Sequence, residues 1–566
     1  MHPQASTLPL LLHPAAHPDA GSLLQTGASL LWLPQAGLLA WALQGLVQGG
    51  GLQAVQLPAV GVLVFGLARG VCDAWGARRA FGAARSRLSG LREQVARSLA
   101  ARSPLDRARP ASGLAASVMA EQAEAVVPYL TRYQTARLRA TVVPLVILLA
   151  VLPLSWVAAL VLLFAAPLTP LFMALVGWRA KAASEAQMVE MGGMNAFLLD
   201  RLRGLATLRA LDAVDATALR LRDAAHALKQ RTMAVLRIAF LSSAVLELFA
   251  ALGVAMVAVY VGFHLLGQLD FGAWGERLTL GQGFFVLLLT PAFFEPLREL
   301  SSVWHDRAAG EAALDALNRL AVEGVALPGA VGPQHALDLP VGKTSTRSAP
   351  AVEIQGLRFT HPGADKPVFD GYDLRVAPGE QVVIAGASGT GKSTLLALIA
   401  GLLPAQAGSI VIDGMPLSAA TATALRTRIA WIGQKPHIFA GTVQTNVALG
   451  RAAAGAAAVA SALRFAALDT VAQAHPGVGL GEGGVGLSGG EAVRLALARA
   501  VVYPEADLLL VDEPTAHLDT ATAQQVADAL LKLAVGKTLI VATHDPVLAA
   551  RVGRVVQLDS VPETPT

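Results

Sequence analysis

The chain has 566 residues, which is too long for a single compact domain. With 54% hydrophobic and only 15% charged residues, and a mean hydropathy of +0.53, it is not a soluble protein throughout. The net charge of +4 does not indicate nucleic-acid binding, because the basic residues collect beside apolar segments, at 78–97 and 132–139. Apolar residues are concentrated in 21–300, whereas 350–560 resembles an ordinary α/β domain in composition.

Residues 1–20 form an N-terminal tail without the basic start and apolar core of a cleaved signal peptide. Its histidines, His2, His13 and His17, would allow metal binding, although a disordered terminus is the simpler interpretation. The single cysteine, Cys72, excludes intramolecular disulfides and cysteine-based metal clusters, and it fits as a small apolar residue in a membrane helix.

Six segments are long and apolar enough to cross a bilayer as helices, which takes ~20 residues each. The predicted spans are 23–47, 53–76, 136–153, 155–177, 236–266 and 281–300. Arginine and lysine follow the second and fourth spans, whereas the links between spans one and two and between three and four lack charge. The positive-inside rule therefore predicts that both termini are cytoplasmic.

Two long charged stretches, 78–128 and 179–235, have the pattern of helices that extend into the cytoplasm. Each contains a break, near 103–112 and near 212–215, that fits a short transverse turn. Further on, 322–350 is a linker by its content of proline, glycine and polar residues. The predicted order is therefore a tail at 1–20, a transmembrane domain at 21–321, the linker, and a second domain at 351–560.

In the second domain, short β-rich runs alternate with helical patterns, which predicts a largely parallel sheet. The predicted strands are 352–359, 381–385, 428–432, 508–511 and 538–542.

A complete phosphate-binding loop, Gly386-Ala-Ser-Gly-Thr-Gly-Lys-Ser393, follows the second of these strands and precedes a predicted helix over 394–400. Its glycines let backbone N–H groups surround phosphates, and the helix start adds partial positive charge. Lys392 is predicted to reach the β and γ phosphates of ATP, and the Ser393 hydroxyl to ligate Mg²⁺. The predicted ATP-binding residues here are Gly386, Ser388, Gly389, Thr390, Gly391, Lys392, Ser393 and Thr394.

A buried strand that ends in two carboxylates, Leu508-Leu-Leu-Val-Asp-Glu513, is the second element of the expected ATP site. Asp512 lies at the carboxyl end of the strand, where α/β sheets bind ligands, and is predicted to contact Mg²⁺. Glu513 comes one position later and is predicted to orient the attacking water or act as its general base. Taken alone the run is a strand with an acidic turn, but the phosphate-binding loop favours the catalytic interpretation.

The run Leu487-Ser-Gly-Gly-Glu491 precedes a helix predicted over 492–500 and is a second anion-binding helix start. Here the chain resembles the ABC transporter ATPases, whose signature is Leu-Ser-Gly-Gly-Gln. The resemblance implies that Leu487, Ser488, Gly489, Gly490 and Glu491 form a site for the γ phosphate bound to a partner domain, and hence a head-to-tail dimer. Glu491 replaces the usual Gln, and we expect it to be tolerated because Ser488 and the backbone make the phosphate contacts.

The other family positions occur in the expected order within 352–558. The resemblance implies that Gln434 is the Q-loop residue and a further Mg²⁺ contact, and that Asp519 ends the D-loop that begins at Thr515. His544 matches the switch histidine that holds the γ phosphate, and with Glu513 it completes the predicted catalytic pair. His361 stands where the family has an adenine-stacking tyrosine, so it is expected to contact adenine.

Six spans fused ahead of an ATPase resemble the exporter type of ABC transporter, whereas importers usually keep the two parts on separate chains. The expected fold is multidomain: an all-α six-helix transmembrane domain plus an α/β P-loop ABC ATPase domain. The resemblance implies ATP hydrolysis coupled to transport, with ATP and Mg²⁺ as cofactors. It also implies that the breaks near 103–112 and 212–215 dock on the ATPase near Gln434.

A closer resemblance covers most of the chain. The segments 144–177, 197–209, 235–247 and 293–300 are similar to the CydD half of the CydDC family of bacterial heterodimeric ABC exporters. This similarity implies a CydC-like second half-transporter as partner, a bacterial cytoplasmic (inner) membrane location, and export of cysteine or glutathione in support of cytochrome bd assembly. Haem is the alternative cargo, and no motif excludes a lipid or peptide exporter of the same architecture.

Two charged residues inside the predicted spans, Arg69 and Glu247, mark a candidate cargo pathway, because charge within a membrane is costly. The alternatives are that they pair with each other, or that Arg69 extends to the membrane surface. A group at the start of span three either lines the inner entry or anchors that helix: Tyr129, Arg132, Tyr133 and Arg137. A soluble ABC ATPase acting on DNA or ribosomes is disfavoured by the six spans.

Overall fold

The computed structural model describes residues 19–106, 109–110, 112–167, 190–191, 193–194, 197–198, 200–202, 204–274, 277–322, 324–330, 348–451, 454–471, 474–480 and 487–558. Predictions for His2, His13 and His17, for most of the linker, and for the second half of the 155–177 span lie outside these residues. The chain divides into two compact units, one formed by Met1–Val95 with Ala111–Ala321 and the other by Ala96–Pro110 with Val322–Thr566.

The described residues of the first part of the chain are mostly helical. Its helices are α1 Ala20–Leu30, α2 Trp32–Val47, α3 Gln53–Ala100, α4 Ser112–Ala120, α5 Gln134–Val151, α6 Trp156–Ala165, α7 Leu205–Ala210, α8 Val214–Leu265, α9 Leu280–Ser302 and α10 Trp304–Val322. A run of 3₁₀, α and π turns leads from α4 into α5: Gln122–Ala125, Val126–Pro128 and Tyr129–Tyr133.

Within the described residues, five helical segments are long and apolar enough to cross a membrane: Ala20–Val47, Gln53–Ala100, Gly113–Val151, Glu247–Leu265 and Leu280–Val322. They correspond to five of the six predicted spans. The described part of the remaining prediction, 155–177, is the shorter apolar helix α6. Large apolar side chains such as Leu63 and Val64 on α3 and Leu252 on α8 are more than half exposed, which suits contact with lipid or another protein.

Two of these helices continue far beyond the length of a span, as the charged stretches predict. Helix α3 has 48 residues and α8 has 52. Helix α3 ends at Ala100 and the next described helix begins at Ser112, whereas Asp212, at φ 50°, separates α7 from α8. Both predicted breaks are therefore confirmed.

The core of the first unit is made by α5, α6, α8 and α9. Phe293 and Phe294 on α9 are buried and pack edge to face, with ring centroids 5.1 Å apart. Gly253 allows α8 to approach α9 closely, because a Cβ at this position would lie 2.4 Å from the Phe294 ring. Thr279 begins α9 with a capping box, in which its hydroxyl and the Gln282 side chain satisfy each other's backbone N–H groups.

The second unit is built on a five-stranded parallel sheet with strand order β11-β3-β10-β9-β6. A four-stranded antiparallel sheet, order β2-β1-β4-β5, and a two-stranded β7-β8 pair complete it. The strands are β1 Val352–Phe359, β2 Phe369–Val376, β3 Gln381–Ala385, β4 Ala407–Ile412, β5 Met415–Pro416, β6 Ile429–Ile432, β7 Gly441–Thr442, β8 Gly479–Leu480, β9 Leu508–Asp512, β10 Thr538–Ala542 and β11 Arg554–Gln557.

Alternate side chains of the parallel sheet enter two different hydrophobic cores. Val382 and Ile540 join the core under the antiparallel sheet, whereas Val383 and Val541 join the core on the opposite face. The five predicted strands are confirmed, whereas β2, β4, β5, β7, β8 and β11 were not predicted. The helices that cover the sheet are α11 Lys392–Ile399, α12 Ala422–Arg426, α13 Val443–Ala448, α14 Ala456–Phe465, α15 Gly489–Val501, α16 Thr520–Leu533 and α17 Pro546–Val552.

Candidate functional site

The predicted ATP-site residues gather at the carboxyl ends of neighbouring parallel strands. The phosphate-binding loop follows β3, Asp512 ends β9, and His544 comes two residues after β10. Since β10 lies between β3 and β9 in the sheet, the carboxyl ends of these three strands lie side by side at one edge. That edge is where α/β sheets bind their ligands.

The phosphate-binding loop depends on glycine for its path. Gly389 and Gly391 have φ of 87° and 103°, which side chains rarely adopt. A Cβ at Gly391 would also lie 2.4 Å from a Val368 methyl. The loop ends directly in α11, so its backbone N–H groups and the helix start point to the same space.

Lys392, the first residue of α11, is buried, with 7% of its side chain exposed. Its ammonium donates hydrogen bonds to the carbonyl oxygens of Gly386 and Ala387, at 2.9 and 3.0 Å, and lies 3.8 Å from Glu513 Oε1. The cation is therefore held over its own loop, beside the carboxylate that is predicted to act on water.

Asp512 and Ser393 form the candidate magnesium site. The Ser393 hydroxyl hydrogen-bonds the Asp512 carboxylate. The buried Oδ1 of Asp512 has no hydrogen-bond partner within the described part of the chain. Burial, with the charge of Glu513, raises the pKa of Asp512, against the opposing effects of Ser393 and Lys392. A hydroxyl beside a buried carboxylate with a free oxygen is a donor set that suits Mg²⁺.

Glu513 is held in an unusual backbone conformation. Its φ is 47°, in the left-handed region, and its N–H donates to the carbonyl of Ala542 at 2.8 Å. The carboxyl group is buried, and its Oε2 lies 2.7 Å from Nδ1 of His544. The exposed His544 ring and the buried carboxylate thus form the pair that is predicted to be catalytic.

His361 follows β1 and lies beside α11, the helix that follows the phosphate-binding loop. Its Nε2 is 3.2 Å from the Thr394 hydroxyl, and its ring packs edge to face on Phe359 at 5.0 Å. This position suits the adenine contact predicted for His361. Gln434 is exposed and lies two residues past the end of β6, the strand that neighbours β9.

The signature residues lie at the start of α15, whereas the phosphate-binding loop precedes a different helix, α11. Ser488 and Glu491 make a capping box: the serine hydroxyl accepts from the Glu491 N–H, and the Glu491 carboxylate accepts from the Ser488 N–H at 2.7 Å. Glutamine makes the same backbone contact, so the Glu491 departure preserves the local structure. Gly490 faces α16, and a Cβ there would lie 2.7 Å from the Thr522 methyl, whereas Gly489 faces open space.

The D-loop residue Asp519 caps α16. Its carboxylate accepts from the backbone N–H of Thr522 at 3.0 Å, and hydrogen bonding from Thr522 lowers the pKa of Asp519. Sequence reasoning missed a second contact in this loop, between the Thr515 hydroxyl and Asp545 Oδ2 at 2.8 Å. The sequence signal for this contact was the position of Asp545 directly after His544.

The break after α3 belongs to the second unit, where its contacts can be described. Ser103 donates its backbone N–H to the Val325 carbonyl at 2.9 Å, and Asp106 accepts from the Val325 N–H at 2.7 Å. Leu105 and Asp106 line a small cavity of about 90 Å³ together with His361. Docking of the two breaks near Gln434 stays a prediction.

Arg69 and Glu247 do not pair with each other, so that alternative is wrong. Arg69 lies over the Trp32 ring at 5.7 Å, whereas Glu247 lies 3.3 Å from Arg298. Arg69 lies on α3 and Glu247 on α8, and the rotation of each helix about its axis decides which residue its side chain contacts.

The aromatic pair at the start of α5 is packed inside the first unit rather than lining an entry. Tyr129 and Tyr133 are both buried and stacked at 5.8 Å, and Trp304 packs edge to face on Tyr133. Arg132 lies 3.1 Å from Asp306 on the same helix as Trp304. These contacts favour the anchoring interpretation for both tyrosines and for Arg132.

The structure also gathers charged residues that the sequence analysis did not select: Asp73, Arg139, Glu295 and Glu299, with Arg69, line one cavity in the first unit. Each falls within a predicted span. The rule that selected Arg69 and Glu247, charge inside an apolar segment, would have found these four as well.

Comparison with known families agrees with both parts of the fold. The ABC transporter family matches residues 369–516, and the ABC transporter transmembrane region matches residues 57–294. A solved structure of a bacterial Atm1-family ABC exporter with ATP bound aligns with a TM-score of 0.75 at 24% identity, over 95% of this chain and 92% of that one. The chain is thus a multi-pass membrane protein with the fold of an exporter half-transporter, and its ABC ATPase domain binds ATP to drive transport.

Two characterised relatives specify the family. The glutathione/L-cysteine transport system ATP-binding/permease protein CydD of Haemophilus influenzae is 36% identical over 79% of this chain and 76% of its own length. The protein named CydC of the same type of system in Bacillus subtilis is 28% identical over 95% of this chain and 92% of its own length. The chain belongs to the CydD family of ABC exporter half-transporters.

Proposed function

We propose that this chain is one half of a heterodimeric exporter that moves cysteine or glutathione to the periplasm, in support of cytochrome bd assembly. The observation that carries the proposal is the 36% identity to a CydD protein whose name specifies glutathione and L-cysteine transport, over about three quarters of both chains. The partner is a CydC-like half-transporter. The similarity of this chain to CydC as well as CydD supports two related halves.

The arrangement of the ATP site supports hydrolysis at this chain's own phosphate-binding loop. Lys392 and the loop bind the β and γ phosphates, Glu513 orients the attacking water, and His544 contacts the γ phosphate. His361 contacts the adenine. Ser488 and its neighbours at the start of α15 bind the ATP presented by the partner, so that two ATP molecules close the two domains head to tail.

Mg²⁺ is the metal that this site would hold, with Ser393, Asp512 and Gln434 as its protein contacts. Its role would be to neutralise the charge of the phosphates. The Ser393 hydroxyl supports this assignment, as does the Asp512 Oδ1, which has no hydrogen-bond partner among the residues that the structure describes.

We place the complex in the bacterial cytoplasmic membrane with both termini in the cytoplasm. The basic residues that follow the second span support this orientation, since Arg78 and Arg79 lie on the cytoplasmic extension of α3. The ATPase domain then faces the cytoplasmic ATP supply.

The test is transport by the purified heterodimer in proteoliposomes. ATP-dependent accumulation of cysteine or glutathione inside inside-out vesicles, absent without ATP, is the expected result. Haem or lipid movement without thiol movement would overturn the cargo assignment while leaving the exporter intact. Purification of this chain as a self-pair, with full transport activity, would overturn the heterodimer.

A further inference from the structure

The transmembrane unit contains a cavity of about 670 Å³ between α1, α2, α3, α5 and α9. That volume is within the range of small-molecule sites in proteins, about 300–1,000 Å³. Its apolar wall includes Trp32, Val143 and Ile147, and its charged residues are two arginines and three acids. Charged residues in membrane helices usually face a water-filled cavity or a transport pathway, and they are functional candidates for that reason.

Three of the five charged groups, one arginine and two acids, form an ion-pair cluster with one excess negative charge. Arg139, only 15% exposed, lies 2.6 Å from Asp73 and 3.4 Å from Glu299. Its guanidinium also donates to the backbone carbonyl and side chain of Gln25. This cluster joins α1, α3, α5 and α9, and each of its charged side chains already has an oppositely charged partner.

The other two charged groups are one cation and one anion, and neither has an oppositely charged partner within the described residues. Arg69 is half-buried and its guanidinium lies over the Trp32 ring, 5.7 Å from the centroid. Glu295 is exposed and lines the same cavity. The cavity therefore presents one available positive group and one available negative group.

The backbone of α9 adds uncharged acceptors at the same place. Pro291 and Pro296 lie inside this helix and have no N–H, so the carbonyls four residues earlier, at Leu287 and Ala292, lose their helical donor. Both of these residues line the cavity. In a membrane such carbonyls need another donor, which an ammonium or a thiol would provide.

We infer that this cavity binds a zwitterionic α-amino acid group, with its carboxylate at Arg69 and its ammonium at Glu295. This inference deepens the proposed function and rests on it, because free cysteine and the γ-glutamyl end of glutathione both carry that group. Trp32 and the apolar wall accommodate the remainder of the molecule. A dianion without an amine, such as haem, would satisfy Arg69 but leave Glu295 facing negative charge.

The experiment compares charge-deleted ligands with charge-deleted variants of the complete heterodimer in lipid nanodiscs. The ligands are L-cysteine, cysteamine, which lacks the carboxylate, and 3-mercaptopropionate, which lacks the amine. L-Alanine supplies the zwitterion without a thiol. The variants are Arg69→Gln and Glu295→Gln, with Arg277→Gln as the matched control, because Arg277 pairs with Asp270 at 2.6 Å outside the cavity lining.

The expected pattern is specific to each pair of groups. Arg69→Gln should weaken L-cysteine binding about 10–100-fold, the usual effect of losing a charged hydrogen bond, and leave cysteamine within twofold. Glu295→Gln should weaken L-cysteine and cysteamine and leave 3-mercaptopropionate within twofold. Arg277→Gln should bind all ligands as the unmodified complex does. Equal thermal stability in all variants would show that they are folded, and Arg277→Gln, which lies outside the cavity, should also keep the basal ATPase activity of the unmodified complex.

Each other outcome has one meaning. If the unmodified complex exports thiols but both variants bind L-cysteine normally, the inferred site is wrong and the proposed function stands. If thiols are not exported but L-alanine binds with the same dependence on Arg69 and Glu295, the site stands and the thiol cargo is wrong. Failure of every zwitterion to bind overturns both.

Discussion

Replacing Glu513 with glutamine should separate ATP hydrolysis from ATP binding. The substitution keeps the size of the side chain and the backbone that holds residue 513 at φ 47°. It removes the charge that lies 3.8 Å from the Lys392 ammonium and the group expected to act on water. Loss of a general base typically slows a reaction 10²–10⁴-fold, or about 3–5 kcal/mol of barrier.

Binding should respond in the opposite sense. At an effective dielectric constant of about 20, opposite charges 3.8 Å apart attract by about 4 kcal/mol, before the cost of their desolvation is subtracted. Without that attraction Lys392 keeps its two carbonyl contacts and becomes freer to move to the phosphates. ATP affinity should therefore be unchanged or higher in the Glu513→Gln variant.

The assay is steady-state phosphate release by the heterodimer, together with equilibrium binding of a fluorescent ATP analogue. Glu505→Gln, an exposed glutamate in the same unit, is the matched control and should behave as the unmodified complex. Turnover within twofold of normal in Glu513→Gln would refute a catalytic role for this carboxylate. A tenfold loss of ATP affinity would instead show that Glu513 acts by holding the site together.

Two glycine comparisons test the packing. Gly490→Ala should destabilise the second unit, since its methyl would overlap the neighbouring helix, whereas Gly489→Ala should leave stability unchanged because it faces open space; equal melting temperatures would contradict this difference. In the first unit, Gly310→Ala would place a Cβ 2.3 Å from that of Tyr129 and should lower the melting temperature in detergent, whereas Gly262→Ala meets nothing within 4 Å and should not. Melting curves in which Gly310→Ala matches Gly262→Ala would refute the tight helix contact.

Four of the five strands of the parallel sheet could be predicted from the sequence because they are short, mostly apolar runs, whereas β11, Arg554–Gln557, begins and ends in polar residues and was not predicted. The strands Gln381–Ala385 and Thr538–Ala542 begin and end where they were predicted. The strands Phe369–Val376 and Ala407–Ile412 were not predicted, since they are partly exposed, contain glycine, and are stabilised by pairing with β1. Such pairing depends on residues distant in sequence, which local patterns do not report.

The ATP-site motifs can be recognised because each is a short run of neighbouring residues. The geometry of the site, in contrast, depends on contacts between residues that are distant in the sequence. The sequence selects Glu513, yet it contains no signal for the left-handed backbone that places its carboxylate 2.7 Å from His544. Similarly, the capping role of Glu491 follows from the Ser488 spacing, and a serine three residues before a glutamate was a signal for it.

Predictions about charges in the membrane failed where they required contact between helices. Hydropathy locates Arg69 and Glu247 along their helices but not the direction in which each faces, and a rotation of one residue turns a helix by about 100°. The partners Trp32 and Arg298 lie on helices distant in the sequence. The selection of Arg69 and Glu247 as cargo-pathway residues stays a prediction, whereas their pairing with each other is wrong.

Helix α8 runs for 52 residues without proline, which at 1.5 Å per residue is a rod of about 78 Å. The hydrocarbon part of a bilayer is only about 30 Å thick, so more than half of the rod must extend into water. A straight helix of this kind would transmit a displacement of its polar end, next to Asp212, along its length to its apolar end. Substitutions that soften the rod at its midpoint should therefore uncouple ATP consumption from cargo movement even though they touch neither ligand.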